Sequence, residues 1–336
     1  MDKITTVGID LAKRVFALHA VDVSGRVVLR KTLRREQLLE FVSKLPPCRI
    51  GMEAGSGAHA WARQFQSLGH EVGIMAAKFV APYRKNAKND GNDAEAICEA
   101  RSRPSMRFVP IKSEEQQALL SLHRVRQGFI QERTATINRI RGLLSEFGIV
   151  LAQKAATVRR EAAAHLEDLP GWANTAVGDS LSELHRLDER ITEYDRHVVH
   201  MAREDERSRA LMQLSGIGST TASALVSTIG NARDFKNGRQ LAAWLGLVPG
   251  QYSSGGKTRL GGITKAGDGY LRTLLVLGAK SVLAAARNKH DRLSRWAMAL
   301  EVRRGYWKAV VAIAAKNARM AWAVLAKGET FKPLEA

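Results

Sequence analysis

Two short apolar runs near the start of the chain each end on a carboxylate. Residues 4–10 read Ile-Thr-Thr-Val-Gly-Ile-Asp and close on Asp10; residues 49–53 read Arg-Ile-Gly-Met-Glu and close on Glu53. Each has the length and composition of a buried β-strand. Around them, residues 15–23 and 26–33 are β-rich, and Asp22-Val23-Ser24-Gly25 supplies the turn of a hairpin. A helix is expected over 36–45, stopped by Pro46-Pro47, and a second one follows Gly55-Ser56-Gly57 as far as Leu68; residues 71–75 give a further strand. A hairpin-bearing sheet with interleaved helices is an α/β domain. In open α/β sheets, functional groups gather at the carboxyl ends of strands, which is where Asp10 and Glu53 are expected.

A second acidic feature follows in Lys88-Asn89-Asp90-Gly91-Asn92-Asp93, approached by the cations Arg84, Lys85 and Lys88. A helix beginning near Asn92 would put Asp90 and Asp93 on its first turn. Two carboxylates brought together repel unless a cation joins them. With Asp10 and Glu53 they make four acids from separated segments, enough to hold two Mg²⁺ ions with phosphate oxygens completing the shells. The simpler alternatives are an Asp N-cap in a solvated loop and strand-end turn residues.

The 336 residues exceed one ordinary core, so two or three domains are expected. The net charge of +19 asks for a polyanionic partner, nucleic acid first. An anionic membrane surface is the alternative, but the sequence shows no long uncharged apolar run and no signal peptide. The two cysteines, Cys48 and Cys98, have no metal-ligand spacing, which fits a reduced cytoplasmic protein without disulfides or zinc.

Residues 114–147 form a long helical stretch, with Leu122, Phe129, Thr136, Ile140, Leu143 and Phe147 on heptad-like spacings. Leu184, Leu187, Ile191, Tyr194, Val198 and Met201 alternate three and four apart in a second. Leu169-Pro170-Gly171 lies between them, so an antiparallel helical hairpin is expected, as a stalk or dimerisation arm. From Ser208 to Lys332 the chain carries 20 Lys or Arg against five Asp or Glu. Within this basic third, residues 214–222 place Gly216 and Gly218 before a helical run and resemble a helix-hairpin-helix motif. Such glycines let backbone N–H groups reach a phosphate at a helix N-terminus. Residues 249–259, Pro-Gly-Gln-Tyr-Ser-Ser-Gly-Gly-Lys-Thr-Arg, join Ser hydroxyls and glycines to Lys257 and Arg259. A serine here would be a phosphate ligand or a nucleophile; composition alone reads the segment as a flexible loop. Helices are expected over 270–287 and 306–325, the latter too interrupted by Lys308, Lys316 and Arg319 to span a membrane.

Taken together, these residues resemble the DEDD-type insertion-sequence transposases of the IS-one-ten class, more closely its IS-eleven-eleven subgroup, over almost the whole chain. The family's four acids match Asp10 in Gly-Ile-Asp-Leu-Ala-Lys, Glu53 in Gly-Met-Glu-Ala, and Asp90 and Asp93 in Asn-Asp-Gly-Asn-Asp-Ala. Its Gly-Leu-x-Pro and Ser-Gly elements match Gly246-Leu247-Val248-Pro249 and Ser254-Gly255. The resemblance implies a RuvC-like (RNase H-like) α/β domain over 1–112, a coiled-coil helical stalk over 113–207, and a mainly α-helical transposase domain with helix-hairpin-helix over 208–336. It implies a Mg²⁺- or Mn²⁺-dependent DNA recombinase that excises and inserts its own element, guided by a structured noncoding RNA. It makes Ser254 the nucleophile of a covalent phosphoserine, with Ser253 the adjacent alternative in register. It also implies a dimer or tetramer, located in the bacterial cytoplasm with the nucleoid. Two other readings stay open: a metal-dependent Holliday-junction-type endonuclease using the four acids only, and a non-enzymatic nucleic-acid-binding protein.

Overall fold

The computed structural model describes residues 4–85, 87 and 89–328, and the chain divides into two compact units, Met1–Glu115 and Gln116–Ala336. The first runs β1 (Thr6–Asp10), β2 (Val15–Val21), β3 (Val27–Arg34), α1 (Arg35–Ser43), β4 (Arg49–Glu53), α2 (Ala58–Ser67), β5 (Glu71–Met75), α3 (Ala77–Val80), α4 (Asp90–Arg101) and β6 (Phe108–Val109). The six strands form one sheet in the order β3-β2-β1-β4-β5-β6. Strands β1, β4 and β5 are parallel; β2, β3 and β6 join antiparallel. This mixed sheet fits the RuvC-like expectation.

The two-residue period of a strand explains the layers. Val7 and Ile9 of β1, Ile50 and Met52 of β4 and Ile74 of β5 point to one face, where they pack with Leu38 and Val42 of α1 and Trp61 and Phe65 of α2. The opposite face of the same strands carries a row of glycines in register, Gly8 beside Gly51 beside Gly73. Helix α4 lies there. A Cβ on Gly8 would stand 2.3 Å from the Ala94 carbonyl oxygen and 2.4 Å from the Cys98 nitrogen, and one on Gly51 would stand 2.8 Å from the Arg101 Cβ. Only bare backbone admits a helix this close. Strand β6, which sequence patterning does not show, has two residues.

The second unit contains α5 (Glu114–Glu146, most of it), α6 (Ala155–Glu161), α7 (Gly171–Glu204), α8 (Glu206–Met212), α9 (Ser219–Ile229), α10 (Gly238–Trp244), β7 (Pro249–Gln251), β8 (Leu260–Ile263), α11 (Gly269–Ala286), α12 (Arg292–Arg304) and α13 (Tyr306–Lys327). Helices α5 and α7 pair antiparallel: Arg126 bonds Asp195 at 2.5 Å, Arg133 bonds Asp188 at 3.4 Å, and Phe129 meets Tyr194 edge to face. Ile137, Ile140 and Leu144 of α5 bury with Val177 and Leu184 of α7 and Val158 of α6. The expected seam shifts at its ends: Phe147 lies past the last turn of α5 and is exposed, and Ala202 is buried where Met201 was expected.

The C-terminal helices share one core, in which Leu225, Leu241, Leu275, Leu283, Val310 and Ile313 are buried. By length and composition α11 and α13 could cross a membrane. Here their buried residues belong to this core, and Asn317 in the middle of α13 donates a hydrogen bond to the Ser215 carbonyl at 2.9 Å. The segment 113–207 and the segment 208–336 thus fall within one unit from Gln116 on, with α7 packed on α8 and α9.

Candidate functional site

In the first unit, β1 ends on Asp10 and its parallel neighbour β4 ends on Glu53, one residue past the Ile9–Met52 pairing. Asp10 is two residues beyond Gly8 and Glu53 two beyond Gly51, so both belong to the sheet face that α4 covers. Both are half-buried. The helix that brings the other two acids begins at Asp90, two residues before the expected start. Asn89 is its cap: the Asn92 N–H donates to the Asn89 side-chain oxygen at 2.8 Å. The Asn92 amide then donates to the Ala87 carbonyl at 2.7 Å and fixes the approach. Asp90 and Asp93 therefore sit in the first turn, where the helix dipole favours negative charge. The N-cap role that the simpler reading gave to an Asp belongs to Asn89.

The close seat of Ala94 on Gly8 sets where this first turn lies. A cleft of about 250 Å³ is lined by Ala17, which pairs with Asp10 across the hairpin, and by Gly91, Asn92 and Glu95 of α4. All four acids are thus on elements that meet at one edge of one face. Among the described residues, however, no three His, Cys, Asp or Glu side chains are gathered closely enough to hold a metal ion. Asp93 is engaged by Arg84 at 3.1 Å. Four hard carboxylates would suit Mg²⁺ or Mn²⁺, and Arg84 already occupies one oxygen of Asp93. Of the cations expected beside the acids, Arg84 is this partner, Lys85 is exposed, and Lys88 lies outside the described residues.

In the second unit, the segment expected as a Gly/Ser loop is a β-hairpin. Strands β7 and β8 pair antiparallel, and a further bridge joins Ser254 to Lys257. Gly255 and Gly256 between them have φ of +54° and +74°, the pattern of a type I′ turn, closed by the Lys257 N–H on the Ser254 carbonyl at 3.0 Å. Ser-Gly-Gly-Lys is itself a hairpin signal, and that is the cue composition hid. The two serines differ. The Ser253 hydroxyl accepts from the Gln251 amide at 2.9 Å and from the Arg259 N–H at 3.3 Å, so it ties the hairpin together. Ser254 is exposed at the turn, and among the described residues its hydroxyl has no hydrogen-bond partner. The side chains of Lys257 and Arg259 are exposed on the same hairpin.

The base of the hairpin is tightly held. Gly246 has a φ of +72°, and a Cβ there would stand 2.3 Å from the Ala266 carbonyl oxygen; one on Gly267 would stand 1.9 Å from that of Trp244. Arg272 of α11 clamps both sides, donating to the Leu245 and Ala266 carbonyls at 3.1 and 2.9 Å. That is why the Gly246-Leu247-Val248-Pro249 stretch starts with glycine. The turn over 214–222 joins α8 to α9 with Leu214 and Ile217 buried. Its glycines have separate roles. Gly216, at φ +83°, packs against Gly278 of α11, where a Cβ would stand 1.9 Å from the Gly216 oxygen. Gly218 is the N-cap of α9, with nothing within 4 Å of where its Cβ would be, and no side chain caps that helix.

Two family models match these regions. One, described as "Transposase" of the DEDD IS110 type, covers residues 7–149 and all four acids; the other, "Transposase IS116/IS110/IS902 family", covers 208–295 with the glycine turn and the Ser254 hairpin. The chain is 46% identical over 335 residues to a "Probable family 20 transposase" of Pseudomonas aeruginosa, covering 98% of this chain and 99% of that protein. It is 39% identical over 336 residues to the "Transposase for insertion sequence element IS1111A" of Coxiella burnetii, covering 99% and 92%. A similar match, 40% over 336 residues, covering 98% and 99%, is to the transposase of element IS1328 of Yersinia enterocolitica.

The chain belongs to the IS-one-ten (IS110) family of DEDD transposases. Transposases cleave and rejoin DNA, so the polyanion asked for by the charge of +19 is DNA.

Proposed function

We propose that this transposase exchanges DNA strands through a covalent phosphoserine on Ser254, assisted by a divalent cation that Asp10, Glu53, Asp90 and Asp93 hold. The observation that carries the choice of serine is the contrast in the hairpin: Ser253 is occupied by Gln251 and Arg259, whereas Ser254 stands at an exposed turn. The Ser254 oxygen forms a bond to phosphorus as the P–O bond to one deoxyribose breaks. The serine loses its proton, and the leaving deoxyribose oxygen gains one. The reverse attack by a deoxyribose hydroxyl restores the phosphodiester and frees the serine, so no bond energy is lost to water. Lys257 and Arg259, on the same hairpin, neutralise the phosphate under attack. When bound, the cation supplies Lewis-acid charge at the phosphoryl oxygens. Arg84, Lys85 and Lys88 draw the DNA backbone toward the acids, and the Gly218 turn offers uncapped α9 N–H groups to a phosphate as a helix-hairpin-helix does.

A structured noncoding RNA directs the transposase to donor and target DNA, and the paired helices α5 and α7 join protomers as a coiled-coil stalk in a dimer or tetramer. The charge of +19 accommodates RNA as readily as DNA. Segments 1–112, 113–207 and 208–336 then divide the labour into metal chemistry, assembly and serine chemistry.

Trapping the adduct on labelled DNA tests the chemistry. Ser254→Ala gives none and Ser253→Ala still does. Cleavage without any adduct in the wild type favours the four-acid endonuclease instead, for which the mixed sheet with acids at one edge is sufficient. Sequencing RNA that co-purifies with the native protein tests the guide, and a preparation carrying no discrete RNA removes it.

A further inference from the structure

The C-terminal unit contains a groove of about 890 Å³ that the mechanism above does not use. One wall is β8, from the hairpin that carries Ser254 at its turn; the others are α10, α12 and α13. Its surface is apolar and aromatic, with Trp296 of α12 and Trp307 of α13, and Trp307 is 64% exposed. Its cations are Arg239, Arg304, Lys308 and Arg319, and none of the described residues lining it is acidic. Lys316 stands 4.5 Å over the Trp296 ring and Lys280 stands 5.7 Å over that of Trp307. What marks this place is not one open tryptophan but a contiguous apolar groove rimmed by cations, the kind of exposed patch that belongs to an interaction site.

We propose that this groove holds an unpaired DNA base next to the phosphodiester that Ser254 attacks, a site that rests on the serine reading for its position but not for its chemistry. A base has a π face for Trp307, and the phosphates on either side of it need cations, which the groove provides without a competing carboxylate. The volume lies within the ~300–1,000 Å³ of ordinary ligand pockets, enough for a nucleotide and too small for a duplex. A second copy of this chain is a poorer occupant on charge. The charged residues lining the groove are all cations and the chain as a whole carries +19, so self-docking here brings like charges together. Strand exchange also requires bases to leave their old pairs before they find new ones, and a stacking platform beside the attacked phosphate lowers the cost of that step.

The test uses full-length protein in EDTA, so that cleavage does not intervene, and three DNA duplexes: fully paired, with one extrahelical 2-aminopurine, and with an abasic residue in its place. The wild type binds the extrahelical base about tenfold more tightly than the abasic probe and quenches its fluorescence. Trp307→Ala loses both effects, and Trp307→Phe keeps most of the preference. The paired duplex binds all three proteins within about twofold, which also shows that the variants are folded. An unchanged preference in Trp307→Ala overturns the proposal. So does tighter binding of the same probe made in RNA, or a preference unchanged while Trp307→Ala alters the sedimenting mass, which would assign the groove to a second copy. Because binding is read on uncut DNA, failure here leaves the phosphoserine reading standing, and failure to trap an adduct leaves this one standing.

Discussion

Gly8 on β1 and Ala94 on α4 approach so closely that a Cβ on the glycine would stand 2.3 Å from the alanine carbonyl oxygen. This contact, repeated in weaker form at Gly51 against the Arg101 Cβ, sets the depth at which α4 lies on the sheet, and so where Asp90 and Asp93 stand relative to Asp10 and Glu53. Backbone on both sides leaves nothing soft to move. Gly8→Ala is expected to destabilise the first unit by about 1–3 kcal/mol and to reduce strand cleavage more than DNA binding. Thermal unfolding and a gel-shift assay measure the two. Gly142→Ala on an exposed turn of α5, where nothing lies within 4 Å, is the contrast: neutral to stabilising by up to about 1 kcal/mol.

On the proposed metal site, a cation held by Asp93 has to compete with Arg84, which engages that carboxylate at 3.1 Å. The ion pair is partly exposed, so its worth is about 1 kcal/mol, or about fivefold in an equilibrium. Arg84→Ala should therefore lower the Mg²⁺ concentration for half-maximal cleavage by about that factor, even as the loss of a cation weakens DNA binding. Asp93→Asn should lower cleavage by about a hundredfold or more with DNA binding intact. A Mg²⁺ titration in which Arg84→Ala needs more metal than wild type would remove Asp93 from the ligand set.

The hairpin turn requires positive φ at both Gly255 and Gly256. Valine at either position strains the turn by about 1–2 kcal/mol and shifts Ser254 while leaving its hydroxyl intact. Gly256→Val is expected to slow adduct formation about tenfold or more with unchanged DNA affinity. Normal adduct rates in that variant would mean the serine does not depend on the turn for its aim.

His123 of α5 is buried between the Ser223 hydroxyl of α9, at 3.0 Å, and the Tyr270 hydroxyl of α11, at 3.1 Å. Burial, aided by nearby Arg126, pushes its pKa down from 6.5 to about 4. The folded protein therefore keeps this ring neutral where the unfolded chain protonates it. Its contribution is fully present above pH 6.5 and is lost as pH falls toward about 4, by up to about 3 kcal/mol. Denaturant melts of the second unit between those limits should show the slope, and His123→Gln should flatten it.

The amino-acid sequence alone determined the strands that end on Asp10 and Glu53, the acidic first turn at Asp90 and Asp93, the long helices and the polyanion demanded by the charge. These follow from local pattern: apolar runs of strand length, capping residues and a simple excess of cations. Two things were decided only by tertiary structure. The glycines at 8, 51 and 73 look like weak points in strands until the register aligns them on one face, the first two under α4 and the third under Phe108 and the Arg101 side chain. Ser253 and Ser254 are neighbours of one chemistry until the pairing of β7 with β8 ties one into the hairpin and leaves the other exposed at the turn. Both depend on contacts between residues distant in the chain, and such contacts leave no periodic trace along it.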